Sequence, residues 1–308
     1  MNRYAYAFQS WIKPLVWAAA VLALAFDDFV FVEALLLFSA LMLMPLWHGT
    51  KTWRHRLEYV AAVVMAGSFL LKPGVGSALC ALPWLAMRVY ALKEVSAKWR
   101  SQGVPSASVA CEQMAAVFPA IGAAWLVANR ANWTPWGFDP LIVLLTAAHF
   151  HHAGFTLPLM PGLNAKAKPG CWTRFSCVAI LLGVPLVATG ITCTHFGVWK
   201  FVEPFVVVVL VLGALGVALS QMRRGLERQH STMPRFGFIV SGASLLAAML
   251  LALGFGLRYV LPDFALTMPQ MWKIHGTLNA FGFGLCGILA WRSSINRLAS
   301  PPSANQTA

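Results

Sequence analysis

Three histidines lie together in the segment T-A-A-H-F-H-H-A-G-F-T-L-P, as His149, His151 and His152. Imidazole takes up and returns protons readily near neutral pH. At about 100° per residue, His149 and His152 share a helical face with Thr146, whereas His151 points away from it. The glycine and prolines that follow leave open whether all three converge. The segment indicates acid/base chemistry or ligand binding, with hydrogen-bonded packing as the alternative for at least one histidine.

Two further segments place polar groups inside apolar sequence. His275 and Asn279 lie one helical turn apart in H-G-T-L-N-A-F-G-F, so an imidazole and an amide share a face. Glu33 is followed by A-L-L-L-F and is therefore committed to an apolar helix. A carboxyl group in apolar surroundings can stay protonated and act as a general acid. The alternative for Glu33 is an acid that reaches to the membrane surface.

Glu112, in C-E-Q-M-A-A-V-F-P, does not fit the depth of the other candidate residues. Its helix is predicted to begin at the cytoplasmic side, which places Glu112 in the opposite half of the membrane from Glu33. The sequence therefore predicts either a substrate-binding acid in an inner vestibule or an ordinary interfacial residue.

The elements that must position these groups are membrane spans. Of 308 residues, 59% are apolar and 11% charged, against about 25% charged in soluble domains. Since about 20 apolar residues cross a bilayer, we predict an all-α polytopic transmembrane bundle of about ten helices without a soluble domain. The transmembrane domain is predicted over 1–298 and a disordered tail over 299–308. The predicted spans are 12–26, 29–48, 57–71, 74–92, 108–128, 139–162, 174–195, 199–221, 236–260 and 271–291.

The basic residues predict the topology of these spans. When loops are assigned to alternating sides, 18 of the 23 Lys and Arg residues fall on one side and 5 on the other. Cytoplasmic loops accumulate positive charge, so both termini are predicted to be cytoplasmic in a multi-pass protein of the bacterial inner membrane. The net charge of +13 is thereby explained without nucleic acid. The first segment also has features of a secretory signal, which would place the mature N-terminus outside.

Several function classes lack their sequence motifs. The chain has no G-x-x-x-x-G-K-[ST] phosphate loop and no G-x-G-x-x-G after a strand pattern, so no nucleotide cofactor is predicted. The six cysteines form no C-x-x-C pair, and the histidines lack the H-x-x-x-H spacing of a helical metal site. We therefore predict no cofactor and no metal, and the sequence leaves the oligomeric state open.

Three motifs carry a family resemblance. The segments E-A-L-L-L-F-S-A-L-M-L-M-P-L, H-F-H-H-A-G-F and H-G-T-L-N-A-F-G-F occur in this order across most of the chain. With them the chain resembles the YndJ-like family of bacterial integral membrane proteins. The resemblance implies that Glu33, His149, His151, His275 and Asn279 occupy motif positions. It also implies an aromatic residue where this chain has His152. The family name carries no mechanism.

These groups predict one site and leave three functions open. Because their depths agree, we expect Glu33, His149 and His275 to line one cavity that opens to the outside or the outer leaflet. The first hypothesis is a cofactor-independent isomerase, cyclase or epoxide-opening enzyme acting on a lipophilic small molecule. The second is a transporter or proton-coupled carrier using the same groups, and the third is a His/Glu metal site. The predicted catalytic residues are Glu33, His149, His151, His275 and Asn279, and the predicted substrate-binding residues are Thr146, His152 and Glu112.

Overall fold

The computed structural model describes Lys13, Trp17 and residues 29–49, 52–228 and 231–298. Within them the chain forms nine helices, and no strand occurs in these residues. The predicted first span, apart from Lys13 and Trp17, and the predicted tail lie outside the described residues. The helices are α1 (Val30–His48), α2 (Trp53–Gly67), α3 (Val75–Gln102), α4 (Ala107–Arg130), α5 (Pro140–Ala167), α6 (Cys171–His195), α7 (Val202–Leu226), α8 (Thr232–Gly256) and α9, built from Met268–Gln270, Met271–His275, Leu278–Leu285 and Cys286–Leu298. The polytopic helical bundle predicted from the sequence is confirmed.

Most of these helices are long and apolar enough to cross a membrane. Seven of the described helices meet this condition, and α9 makes an eighth if its two halves, bent by 42°, form one span. α2 falls short because it has only 15 residues. It nevertheless connects the two ends of the bundle. Near its start Glu58 lies 3.6 Å from His48, and beyond its last residue the Phe69 ring lies 4.7 Å from the Arg130 guanidinium.

The helix ends fall into two groups at opposite ends of the bundle. We call one the Glu33 end, which comprises residues 29–33, 68–74, 130–139, 196–201 and 257–267. The other is the His48 end, which comprises residues 48–49, 52–54, 103–107, 166–170 and 226–228. Ion pairs tie helices together at both, with Arg258 on Glu203 at 2.6 Å in the first and Lys166 on Glu112 at 2.7 Å in the second.

Helix α5 begins and breaks where its sequence dictates. The Asp139 carboxylate caps the first turn by accepting a hydrogen bond from the Leu141 amide at 2.8 Å, as the Asp-Pro start predicts. The helix is interrupted after His152, at Gly154. A Cβ atom at Gly154 would lie 2.2 Å from the Phe150 carbonyl oxygen, so only glycine permits this close passage. The three histidines therefore lie in the last helical turn before the break.

Helix α1 and helix α9 flank α5 and contain π-helical turns. The π segments are Ser39–Leu43 in α1 and Met271–His275 and Leu278–Leu285 in α9. Ser39 Oγ donates a hydrogen bond to the His151 carbonyl oxygen at 2.5 Å, which joins α1 to α5. Single π-helical turns often occur at functional sites, and here they lie on the two helices beside the histidines.

Candidate functional site

A cavity of about 710 Å³ lies among α1 and α4 to α9. We call it the histidine cavity, because His149, His152 and His275 line it. Its volume is in the range of pockets that bind small organic ligands, roughly 300–1,000 Å³. Most of the wall is apolar. Besides the histidines, the only described lining residues with a charged side chain are Glu203 and Arg258.

On α9, His275 and Asn279 present hydrogen-bond acceptors to this cavity. His275 Nδ1 lies 2.9 Å from the Ala248 carbonyl oxygen, and a carbonyl can only accept, so Nδ1 carries the proton. The neutral ring therefore keeps its lone pair on Nε2. Asn279 Nδ2 donates to the His275 carbonyl oxygen at 2.9 Å, which leaves Asn279 Oδ1 for the cavity.

On α5, His149, His152 and Thr146 line the same cavity. No hydrogen bond ties either ring nitrogen of His149 to the described part of the chain. His152 Nε2 donates to the Leu35 carbonyl oxygen at 2.7 Å, and its buried Nδ1 has no hydrogen-bond partner among the described residues. Thr146 Oγ1 donates to the Ile142 carbonyl oxygen at 2.7 Å, so its hydrogen is already used. The α5 face therefore offers chiefly imidazole nitrogens.

His151 lies on the other side of α5. Its Nε2 accepts a hydrogen bond from Trp84 Nε1 at 2.8 Å, and its Nδ1 donates to the Ala147 carbonyl oxygen at 2.7 Å. The ring is fully buried and is not part of the cavity wall. Both ring nitrogens are used, so His151 joins α5 to α3, and its predicted catalytic role receives no support from its position.

Glu33 lies outside the histidine cavity, although its neighbours Val32 and Leu35 line it. Its Oε1 is 3.8 Å from Nη1 of Arg130, whose side chain is 5% exposed. The expectation that Glu33 shares a cavity with His149 and His275 is therefore wrong. The physical reason is that the buried guanidinium requires a counter-charge. A carboxylate in an ion pair is also a poor proton donor.

The rim of the cavity at the Glu33 end carries an ion pair between α7 and the turn after α8. Arg258 donates to both carboxylate oxygens of Glu203, at 2.6 and 3.2 Å, and Glu203 is 2% exposed. Burial alone would lower the pKa of Arg258, but the hydrogen bonds and charge of Glu203 outweigh this and raise the pKa above its ordinary value. Arg258 thus stays charged and has its hydrogen-bond partner, Glu203, within the protein.

Glu112 belongs to a second pocket, of about 260 Å³, at the His48 end. We call it the charged pocket, and its polar lining residues are His48, Arg54, His55, Glu58, Arg88, Glu94, Lys98, Glu112 and Gln113. Glu112 is paired with Lys166. Its location in the opposite half of the bundle agrees with the sequence-based placement, but it is separate from the histidine cavity.

The buried pair of Glu58 and Arg88 was missed from the sequence. The Arg88 guanidinium donates to Glu58 Oε1, and the two side chains are only 3% and 9% exposed. Arg88 was counted with the basic residues of the cytoplasmic side, near the end of the predicted span 74–92, whereas it lies well within α3 and stacks on the Trp84 ring at 4.4 Å. The signal was present, because Arg88 interrupts the apolar run W-L-A-M-R-V-Y. His48 and His55, stacked with ring centroids 5.5 Å apart, also line this pocket.

The described residues contain no group of three or more His, Cys, Asp or Glu side chains placed to hold a metal ion. His152 and His275 each use one ring nitrogen on a backbone carbonyl, of Leu35 in α1 and of Ala248 in α8, and keep the other.

Comparison with known proteins places the chain among membrane proteins. The family model described as YndJ-like protein matches residues 23–283. A relative in Bacillus subtilis (strain 168), described as an uncharacterized membrane protein YndJ, is 29% identical over 178 residues. The match covers 57% of this chain and 31% of the relative, so the chain spans about a third of the length of that protein. No solved structure matches the chain.

Proposed function

The chain belongs to the YndJ-like family of membrane proteins, and from its histidine cavity we propose that it is an enzyme that isomerises a lipophilic molecule by proton transfer. The observation that carries the proposal is that His149, His275 and Asn279 line one apolar cavity. In it His275 has a proton on Nδ1 and a lone pair on Nε2. An unprotonated nitrogen in an apolar enclosure has the properties of a general base.

In the proposed reaction, His275 Nε2 removes a proton from an activated C–H bond of the bound molecule. The electron pair of that bond shifts into the adjacent π system, and the imidazolium returns the proton at a different carbon. Asn279 orients an oxygen of the substrate, and His149 serves as the second proton-exchanging group. The reaction is neutral in redox terms and consumes no co-reactant. Proton transfer of this kind contributes roughly 10²- to 10⁴-fold to a rate.

Isomerisation fits the cavity better than the other reactions of this class. Ring closure of a polyene and opening of an epoxide begin with protonation by a strong acid. Glu33, the expected acid, is paired with Arg130 outside the cavity, and Glu203 at the rim is paired with Arg258. The imidazoles support a base-first reaction.

The proposal is tested by solvent isotope exchange. Purified protein in detergent is incubated in deuterated water with β,γ-unsaturated lipid ketones that carry a hydroxyl group. We expect deuterium on carbon and migration of the double bond, both lost in His275→Phe and retained in Thr277→Val, an exposed position on the same helix. Products without deuterium, or exchange that survives in His275→Phe, would contradict the proposal. Loss of exchange on chelation, restored by a single metal, would favour the metal-site hypothesis.

Transport is the second candidate, and a specific observation favours it. The histidine cavity and the charged pocket lie toward opposite ends of the bundle, and α1, which borders both, contains π-helical turns. Helix α9 is bent by 42° beside the cavity, and broken helices are common at transport sites. A carrier returns its substrate unchanged, so movement of an unmodified lipid analogue across sealed proteoliposomes, without isotope exchange, would favour this function.

We further propose a location in the bacterial inner membrane with both termini cytoplasmic. The 18-to-5 division of basic residues supports this orientation. So does the contact of Lys13, which donates to the Pro45 carbonyl oxygen at 3.2 Å in the half of α1 near the His48 end. Single cysteines at Lys51, Gln102 and Arg224 should all be inaccessible to an impermeant maleimide in intact cells. Labelling of any one of them would overturn the orientation.

A further inference from the structure

The polar groups on the wall of the histidine cavity include more hydrogen-bond acceptors than donors. On α9, His275 Nε2 and Asn279 Oδ1 are acceptors. Four threonine hydroxyls on the wall offer acceptors, because each already donates to a backbone carbonyl: those of Thr146, Thr156, Thr189 and Thr192. A fifth, Thr194 Oγ1, is buried and has no partner among the described residues. The cavity therefore has lone pairs that the described protein groups do not fill.

Two further wall residues hold buried polar atoms without partners among the described residues. His152 Nδ1 is an acceptor, because Nε2 donates to the Leu35 carbonyl oxygen, and His152 is only 8% exposed. Trp272 Nε1 can only donate, and it too has no partner. Buried polar groups are usually hydrogen-bonded. The lining residues thus include an unfilled acceptor on α5 and an unfilled donor on α9, so a group that can both donate and accept is favoured over one that can do only one of the two.

The charges of the wall exclude an anionic or cationic head group. Arg258 is the only Lys or Arg among the described residues of the wall, and both of its Nη atoms already donate to the Glu203 carboxylate. An unpaired carboxylate or phosphate inside would therefore be a buried charge without a counter-ion, which is strongly unfavourable. An ammonium group faces the same cost, because Glu203 is engaged by Arg258.

We infer that the substrate is a neutral lipid that carries a hydroxyl group besides the carbonyl group that activates its C–H bond, with the hydroxyl at the His275–Asn279 wall and the hydrocarbon part along the apolar wall. A hydroxyl both donates and accepts, so it can satisfy lone pairs such as Asn279 Oδ1 and a donor such as Trp272 Nε1. A carboxylate lacks the donor and an ammonium lacks the acceptor. This inference rests on the proposed function for the role of the bound molecule, but the binding itself is independent of catalysis.

The test measures binding of three compounds with the same C15 isoprenoid chain and different head groups. Full-length protein in nanodiscs is titrated with radiolabelled farnesol, and unlabelled farnesol, farnesoic acid and farnesylamine compete at pH 8. We expect farnesol to compete at concentrations at least about tenfold lower than the acid or the amine. Asn279→Leu and His275→Phe should each weaken the competition by farnesol itself by at least about tenfold, whereas Thr277→Val should retain it.

Several results would overturn the inference. Equal competition by alcohol and acid, preference for the acid, or absence of saturable farnesol binding would overturn it. Farnesol affinity that is unchanged in both Asn279→Leu and His275→Phe would move the head group elsewhere and would also overturn it. Binding of farnesol without isotope exchange of any hydroxylated lipid ketone would retain the inference and reject the isomerase, so the two failures are distinguishable.

Discussion

The histidine cavity and the charged pocket differ in how their polar groups are satisfied. In the charged pocket, acids and bases are paired within the protein, as in Glu58 with Arg88, Glu94 with Arg54 and Glu112 with Lys166. In the histidine cavity, the imidazoles of α5 and α9 each use one nitrogen or none on the backbone. The acids of the first pocket are therefore paired with bases, although Arg54 Nε, His55 Nδ1, Arg88 Nε and Glu112 Oε1 have no partner among the described residues. In the second, the groups left over are imidazole, hydroxyl and indole atoms rather than charged side chains.

We infer that the charged pocket contributes to stability, whereas the histidine cavity serves binding and catalysis. A buried charge needs its partner because an unpaired ion in a low-dielectric interior is costly. A neutral imidazole with one free nitrogen is far less costly, so such groups can be kept ready for a ligand. We therefore expect substitutions in the charged pocket to act on folding and substitutions in the histidine cavity to act on binding and catalysis.

The largest effect is expected for Glu58→Gln. It leaves the Arg88 guanidinium buried without a counter-charge, and we expect the free energy of unfolding to fall by about 3–5 kcal/mol. The matched control is Glu94→Gln, because its partner Arg54 is 31% exposed and such pairs contribute about 0–1 kcal/mol. Denaturant unfolding in detergent measures both. Similar losses for the two variants would contradict the assignment of the Glu58 pair as structural.

Glu33→Gln should have the next largest effect. It breaks the pair with buried Arg130, but the longer separation of 3.8 Å and the 17% exposure of the Glu33 side chain make the loss smaller. We expect a loss of about 1–3 kcal/mol. Farnesol affinity should be unchanged within a factor of two to three, because Glu33 does not line the cavity. Unaltered stability together with complete loss of isotope exchange would restore Glu33 as the proton donor.

His151→Phe and His275→Phe make the same chemical change at a histidine that joins two helices and at a histidine that lines the cavity. His151→Phe removes two hydrogen bonds and leaves Trp84 Nε1 buried without a partner, so we expect a loss of about 1–3 kcal/mol in stability. His275→Phe removes one bond to the Ala248 carbonyl and should cost about 1 kcal/mol. Isotope exchange should survive only in His151→Phe. The reverse pattern would exchange the roles of the two histidines.

The smallest effect is expected for Thr146→Val. The residue lines the cavity, but its hydroxyl hydrogen is already donated to Ile142 within the same helix. We expect a change in stability within about 0.5 kcal/mol and a change in farnesol affinity of less than threefold. A tenfold loss of affinity would make Thr146 a direct partner of the head group and would require a different placement of the hydroxyl.

Local sequence rules predicted the parts of the site that lie on one helix. The Asp139-Pro140 start gave the beginning of α5, and a helical period of 100° put His149 and His152 on one face with His151 turned away. The structure has the first two at the cavity and the third against Trp84. The helical bundle likewise followed from hydropathy alone.

Partners on distant helices could not be obtained in this way. Glu33 was placed by its depth, but Arg130, which decides its role, lies 97 positions away on α4. Likewise, Arg88 was counted with the basic residues of the cytoplasmic side, because the predicted span ended at residue 92 whereas α3 continues to Gln102, where Gly103 ends it with a positive φ. The depth of a residue along a helix can be counted from the sequence. Which helix its side chain faces depends on how helices that are distant in sequence pack together, and the local pattern does not show this.

The most direct measurement is the location of a bound lipid alcohol. A farnesol analogue carrying a diazirine on its chain is photolysed in the purified protein, and labelled peptides are identified by mass spectrometry. We expect labels on α8 and α9 at the cavity wall, such as on Met249 and Met271. Excess farnesol should prevent this labelling, and excess farnesoic acid should not. Labels confined to lipid-facing residues such as Leu250, or to the charged pocket at Ala91, and unaffected by farnesol would contradict it.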